Sequence, residues 1–111
     1  MAHDTLLERR LRNALDALGA NAEAKRMFGG VAFMIRGNMC VGVTNKGLFM
    51  VRVDPSREEE LLARPGAAPM DFTGRPMKGY LFLDPDGLAG DTGLREWVAI
   101  ALERNAQLPE K

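Results

Sequence analysis

Three short apolar runs in the first half of the chain constrain the fold more than any other feature. They cover residues 31–36, 39–44 and 48–53, and the turn-forming segments Gly37-Asn38 and Asn45-Lys46-Gly47 separate them. Runs of this length are typical of strands, and glycine and asparagine tolerate the positive φ that tight hairpin turns require. The pattern predicts a three-stranded antiparallel meander. We interpret Arg26 to Gly30 as the connection that leads into its first strand, with the glycines permitting a bulge.

Helical periodicity flanks this meander on both sides. Residues 5–18 predict a first helix, because apolar residues through Leu18 recur at three- and four-residue spacing. A second helix is predicted from Asp54 to about Arg64, where the following proline disfavours helical geometry. A third helix is predicted after residue 91, with a buried stripe formed by Leu94, Trp97, Val98, Ala101 and Leu102.

Two more strands are predicted in the second half of the chain. Residues 69–72 suit a short edge strand, and residues 78–83 suit a longer strand that the turn at 84–87 closes. The order helix–three antiparallel strands–helix–two strands–helix predicts a two-layer α+β fold, with the helices against one face of a five-stranded sheet. At 111 residues the chain is predicted to form a single domain, residues 1–111, with a core over about 5–105.

The predicted strands supply two apolar faces rather than one apolar and one polar face. Side chains alternate along a strand, so Phe49 and Val51 belong to one face and their neighbours to the other. The second face carries Met34, Leu48, Met50 and Phe82. An apolar face of this kind needs a cover. Three covers remain open: a helix or the 65–79 loop of the same chain, a second copy in a homodimer, or a small molecule.

The composition argues against several functional classes. Fifteen basic and fifteen acidic residues cancel, so the chain has no overall attraction to nucleic acid or to anionic membranes. No apolar run approaches the roughly 20 residues of a membrane span, and the N-terminus lacks the pattern of a signal peptide. The single cysteine, Cys40, excludes an intrachain disulfide. We therefore expect a cytoplasmic protein that binds neither nucleic acid nor membranes directly.

The sequence contains no recognisable catalytic or metal-binding pattern. The one histidine, His3, lies near the N-terminus, and Cys40 sits in an apolar run without an evident activating base, which favours an inert buried thiol. The glycines at 29–30 and at 74–79 match neither the dinucleotide-binding nor the phosphate-loop pattern. We predict no catalytic residues, no metal and no cofactor.

Basic side chains near the predicted strand ends form one candidate binding cluster. If they converge, they would suit an anion or a phosphate group. Asp71 lies beside them in a segment rich in proline and glycine, where it could be a paired structural carboxylate or a site residue. The candidate binding residues are Arg26, Arg36, Arg52, Asp71, Arg75 and Lys78.

Several motifs resemble the N-terminal domain of the TfoX/Sxy family. They are Arg26-Met27-Phe28-Gly29-Gly30, residues 37–40, residues 48–53, residues 70–80 and residues 94–97, and the resemblance covers about residues 5–105. It implies an α+β fold of the secretion-chaperone-like type, in agreement with the element order above. It also implies a link to regulators of natural competence, which act with a cAMP-responsive activator. Those regulators carry a second, C-terminal helical domain, so we expect a stand-alone version here.

Together, these observations predict a non-enzymatic interaction or regulatory domain. We expect it to act through protein–protein contacts as a homodimer, with a transcription activator as the partner that the resemblance implies. The alternative is a small-ligand-binding or enzymatic module that uses a basic pocket around Arg26, Arg52 and Lys78.

Overall fold

A computed structural model describes residues 5–27, 29–44, 46–71, 76–88 and 90–110. These residues form three α-helices and six strands, which confirms the α+β class. In chain order they are α1 (Thr5–Ala17), β1 (Glu23–Met27), β2 (Gly30–Ile35), β3 (Asn38–Val43), β4 (Phe49–Arg52), α2 (Glu58–Leu62), β5 (Ala67–Asp71), β6 (Pro76–Leu83) and α3 (Gly90–Gln107). Short 3₁₀ turns at Pro55–Arg57 and Pro85–Gly87 precede α2 and α3.

The strands form one antiparallel sheet in the order β1-β2-β3-β4-β6-β5. The sheet has one strand more than the five expected from the sequence, because Glu23–Met27 is an edge strand and not a connection. Residues Glu23 to Arg26 are all exposed. A strand that buries so little lacks the apolar alternation by which the other strands are recognised, which is why the sequence does not reveal it.

The hairpin between β2 and β3 turns one residue earlier than predicted. Its two turn residues are Arg36 and Gly37, with φ of 56° and 80°, as a two-residue hairpin turn requires. Asn38 is instead the first residue of β3, and its buried side-chain amide donates to the Pro109 carbonyl over 2.9 Å. This tertiary hydrogen bond accounts for the shift, because it holds Asn38 in β3 although asparagine tolerates a positive φ better than Arg36, which takes the turn position instead.

All three helices pack against the same face of the sheet. Leu11 and Leu15 of α1, Leu61 of α2 and Leu94 of α3 share one buried cluster with residues of the sheet. The sheet contributes Val31, Phe33, Val41, Val43, Phe49, Val51, Leu81 and Leu83, each 3% exposed or less. Burial of apolar side chains at this scale is the main favourable term in folding.

Two leucines predicted for the buried helix faces are not fully buried: Leu102 of α3 is half-buried, and Leu18 is exposed. Leu18 is 41% exposed, because α1 ends at Ala17 and the chain then turns away through Gly19, whose φ is 72°. The Ala20 amide donates to the Leu15 carbonyl over 2.9 Å and closes this helix end.

Two Asp-Pro pairs lead from strands into helical turns. The Asp54 carboxylate accepts a hydrogen bond from the Ser56 amide at 2.9 Å, and the Asp84 carboxylate accepts one from the Asp86 amide at 3.0 Å. The hydrogen bonds from Ser56 lower the pKa of Asp54. The helical segment predicted to begin at Asp54 is confirmed, and α2 ends at Leu62, before the proline at position 65.

Candidate interaction surface

The sheet face opposite the helices, called the open face below, is built from the second residue set predicted from the sequence. Cross-strand partners in a sheet point to the same side, so the register defines which residues share this face. One row crosses all six strands and consists of Lys25, Ala32, Gly42, Met50, Phe82 and Ala68. The adjacent row, through Val31, Val43, Phe49 and Leu83, belongs to the helix-covered core.

The centre of the open face is filled by Met50, which is only 1% exposed. Its side chain lies over Gly42, where a Cβ atom would come within 2.7 Å of Met50 Cε and 2.7 Å of the Val31 carbonyl oxygen. Ala32, the next residue in the row, is fully buried. Met50 therefore cannot itself offer contact area, and accessible apolar surface must come from residues around it.

The three other predicted interface residues lie around this centre and are half-buried. They are Met34 on β2, Leu48 immediately before β4, and Phe82 on β6, which pairs directly with Met50. An antiparallel sheet whose second face meets only water normally alternates apolar and polar residues. Here the alternate positions are apolar, so the open face is chemically suited to an apolar contact.

Arg52 and Tyr80 border the open face at one end. They are paired across β4 and β6, and the Arg52 guanidinium carbon lies 5.4 Å from the centre of the Tyr80 ring, a cation–π arrangement. Both residues are half-buried. They place a positive charge and an aromatic ring beside the apolar centre.

The structure does not bring Arg26 and Arg52 together. Arg26 pairs with Val31 and so lies on the helix side of β1, whereas Arg52 pairs with Tyr80 on the open face. Following the register across the sheet, Arg26 is level with Leu83 of β6, and Arg52 is level with Tyr80. Three residues of a strand span about 10 Å. The two arginines therefore stand on opposite faces and at different heights.

The remaining candidate binding residues occupy separate places. Arg36 lies in the β2–β3 turn, and its guanidinium donates to the Asn105 carbonyl oxygen of α3 at 3.0 Å, which is a structural contact. Lys78 is exposed on β6, and Asp71 is the last residue of β5, paired with Pro76. Arg75 lies outside the described residues. A binding role for each of these residues, singly, stays a prediction.

Burial makes Cys40 a poor nucleophile. Cys40 is the additional residue in the β3 bulge, where the register with β2 shifts, and it is fully buried. This burial raises the pKa of its thiol to about 12, and the positive charge of Arg52 only partly opposes the effect. A thiol that stays protonated at neutral pH lacks the nucleophilic form. The predicted burial of Cys40 is confirmed.

Two depressions of similar size lie in the described surface. One, of about 280 Å³, is lined by polar residues at the β1–β2 side of the sheet, among them Glu23, Lys25 and Arg36. The other, of about 270 Å³, lies between the end of α2 and α3, where the Arg64 guanidinium carbon is 5.7 Å from the centre of the Trp97 ring. Neither depression is lined by Arg26, Arg52 or Lys78.

Within the described part of the chain, no group of three or more His, Cys, Asp or Glu side chains stands close enough to hold a metal ion. His3 lies outside that part. None of the helices described is both long and apolar enough to cross a membrane.

Comparison with known proteins assigns the family. No curated protein and no solved structure matches the chain significantly, so the secretion-chaperone-like architecture stays an expectation. The family model for the TfoX N-terminal domain matches residues 13–105, from within α1 to the last turns of α3. Because this match spans most of the 111 residues, the chain belongs to the TfoX N-terminal domain family.

Proposed function

We propose that this domain is a non-enzymatic, cytoplasmic regulatory module that binds a protein partner through the open face. The family supports a regulatory role. The observation that carries the choice of surface is the apolar character of the open face, where Met34, Leu48 and Phe82 surround the buried Met50 on the side away from the helices. Apolar surface grouped in this way favours association with another protein.

The chemistry of the open face suggests what the partner offers. Methionine is unbranched and polarizable, so it adapts to partners of different shape, and Phe82 supplies a large apolar ring. Arg52 at the border suits an acidic or carbonyl group on the partner. We therefore propose an apolar partner segment flanked by acidic residues, and the family resemblance suggests a DNA-bound transcription activator as its source.

A pair of substitutions tests the surface directly. Met34→Lys places a charge on the open face, whereas Leu18→Lys places the same charge at an exposed leucine of the helix layer. Each chain is used as bait in cells that produce it, and captured proteins are quantified by mass spectrometry. We expect one partner, a transcription activator, to be retained by the natural chain and by Leu18→Lys and to be depleted at least about tenfold by Met34→Lys.

Equal thermal stability of the two variants is the control for folding. If Met34→Lys and Leu18→Lys retain the partner equally, the open face is not the binding surface. If a partner is lost only when Leu18, on the helix side of the sheet, is changed, binding belongs to the helix layer instead.

A further inference from the structure

The two edges of the sheet are not equivalent. The β5 edge contains Pro69, and its register with β6 shifts between Pro69 and Asp71. Proline and irregular register both hinder pairing with another strand. The β1 edge contains neither proline nor glycine, its register with β2 is unbroken over Glu23–Met27, and residues 23–26 are all exposed. The β1 edge is therefore the edge of the sheet that is suited to pair with a further strand.

The hairpin turn fixes which residues of β1 face outward. In a two-residue turn such as Arg36-Gly37, the flanking pair exchanges hydrogen bonds, which directs Ile35 toward β3. Counting back along β2, every second residue, including Met34 and Ala32, directs its backbone N–H and C=O groups toward β1 instead. Their partners Glu23 and Lys25 are thus bonded within the sheet. Ala24 and Arg26 then direct their backbone N–H and C=O groups away from the sheet.

We propose that β1 pairs antiparallel with β1 of a second copy of this chain, about a two-fold axis at Ala24. The axis stands perpendicular to the sheet, so cross-strand partners come from the same face of both copies. The two outward-facing backbone groups of each Ala24 then bond those of the other Ala24. The result is one continuous antiparallel sheet through both copies, with all helices on one side.

Side-chain charge selects this register over its neighbours. An axis at Glu23 or at Lys25 would set like charges directly opposite each other, which destabilises strand pairing. An axis at Ala24 instead sets Glu23 of each copy opposite Lys25 of the other, twice per dimer. A lone lysine on an edge strand opposes pairing. Glu23, two residues away on the same face, converts that lysine into one half of a complementary pair.

This inference does not rest on the proposed partner of the open face, because it uses the edge of the sheet. It does bear on that face, since pairing at β1 would place the open faces of two copies side by side. A partner with two binding segments could then engage both.

Sedimentation velocity over about a hundredfold range of protein concentration tests the dimer. We expect the natural chain to dimerise, and Lys25→Glu and Glu23→Lys each to weaken the dimer about tenfold, because each creates two like-charge pairs. The double variant Glu23→Lys/Lys25→Glu restores opposite pairs and should restore the natural affinity. The control is Glu59→Lys, a reversal at an exposed position of α2.

A proline at Ala24 tests the backbone part of the proposal. Because the Ala24 N–H faces outward, Ala24→Pro should leave the β1–β2 pairing intact while removing both hydrogen bonds at the dimer axis. We expect a folded monomer at every concentration. A natural chain that stays monomeric, a double charge reversal that fails to recover the dimer, or a folded Ala24→Pro chain that still dimerises would each overturn the proposal. If Ala24→Pro does not fold, the charge-reversal set alone decides the question.

Discussion

The two faces of the sheet use the same strands but are buried in different ways. On the helix-covered face, large residues such as Phe33 and Phe49 are fully buried beneath α1 and α3. On the open face, the buried residues of the described strands include the small residues Ala32 and Gly42 and the methionine that lies over Gly42. The covered face is closed by the helices, and at the centre of the open face Met50 Cε lies directly over Gly42 of β3.

This difference separates the residues that maintain the fold from those that remain accessible. Substitution of a residue that touches many neighbours lowers the free energy of unfolding by a large share of its total, because native domains are stable by only about 5–15 kcal/mol. Half-buried residues such as Met34 and Leu48 touch fewer neighbours and remain partly accessible. Substitutions on the open face should therefore cost less stability than substitutions on the covered face, which maintains the fold.

The largest expected effect compares two phenylalanines of the one sheet. Phe33→Ala should lower the free energy of unfolding by about 3–5 kcal/mol, because the ring is fully buried and the Arg12 guanidinium carbon lies 4.8 Å from its centre. Phe82→Ala on the open face should cost about half as much, since that ring is half-buried. Urea unfolding measures both. Equal losses would mean that the open face is covered as thoroughly as the core.

The second prediction concerns the centre of the open face. Gly42→Ala should destabilise the chain by about 1–3 kcal/mol, because the new Cβ would crowd Met50 Cε and the Val31 carbonyl. Met50→Ala removes the Cε atom, so the loss in the double variant should be smaller than the sum of the two single losses. A double-mutant cycle by urea unfolding measures this coupling. Strict additivity would contradict the observed packing of Met50 over Gly42.

The third prediction concerns the polar contact that fastens α3 to the covered side. The buried Asn105 side-chain amide donates to the Ile35 carbonyl at 3.0 Å. Asn105→Ala leaves that carbonyl without this partner and should cost about 1–2 kcal/mol. Exposed Gln107, two residues further along α3, is the control: Gln107→Ala removes only an exposed hydrogen bond from Arg104 and should change stability by less than about 0.5 kcal/mol. Thermal unfolding compares the two, and similar shifts would assign no special role to Asn105.

Sequence patterns predicted the elements that bury apolar side chains and missed those that do not. The strands β2 to β4 and the two apolar residue sets follow from alternation, and α1 and α3 follow from helical spacing. Strand β1 lies at an edge and carries Glu23, Lys25 and Arg26, so its sequence has no such signal. In the sequence, β1 is only a short, mostly polar segment between α1 and the first apolar run, and such a segment does not by itself predict a strand.

Arg26 and Arg52, two members of the predicted binding cluster, lie apart for a different reason. Whether two strand residues meet depends on the order of strands in the sheet and on the face each residue occupies, and neither is encoded locally. Arg26 and Arg52 are both close to strand ends, yet the two strands β2 and β3 and three steps of register separate them. The pairing proposed for Glu23 and Lys25 has the same dependence, because it can arise only if β1 is an edge strand.

The smallest expected effect on stability gives the clearest contrast in accessibility. In a Met34→Cys variant the chain holds one thiol on the half-buried open face and one, Cys40, in the covered core. Near neutral pH a maleimide should label position 34 at least about a thousandfold faster, because Cys40 reacts only when the fold opens. Peptide mass spectrometry assigns each label, so the two thiols serve as controls for each other. Comparable rates would show that the covered face opens as readily as the open one.

The pH dependence of the same thiol follows from its burial. The pKa of Cys40 is raised from 9.0 to about 12, so the folded chain holds its proton more tightly than the unfolded chain does. Its contribution to stability is complete below pH 9 and is lost as the pH rises from 9 toward 12. Cys40→Ala should therefore flatten the fall in melting temperature over that range. A fall of the same steepness in Cys40→Ala would assign the alkaline loss of stability to other groups. The protonated thiol in the β3 bulge would then contribute nothing to the stability of the covered face.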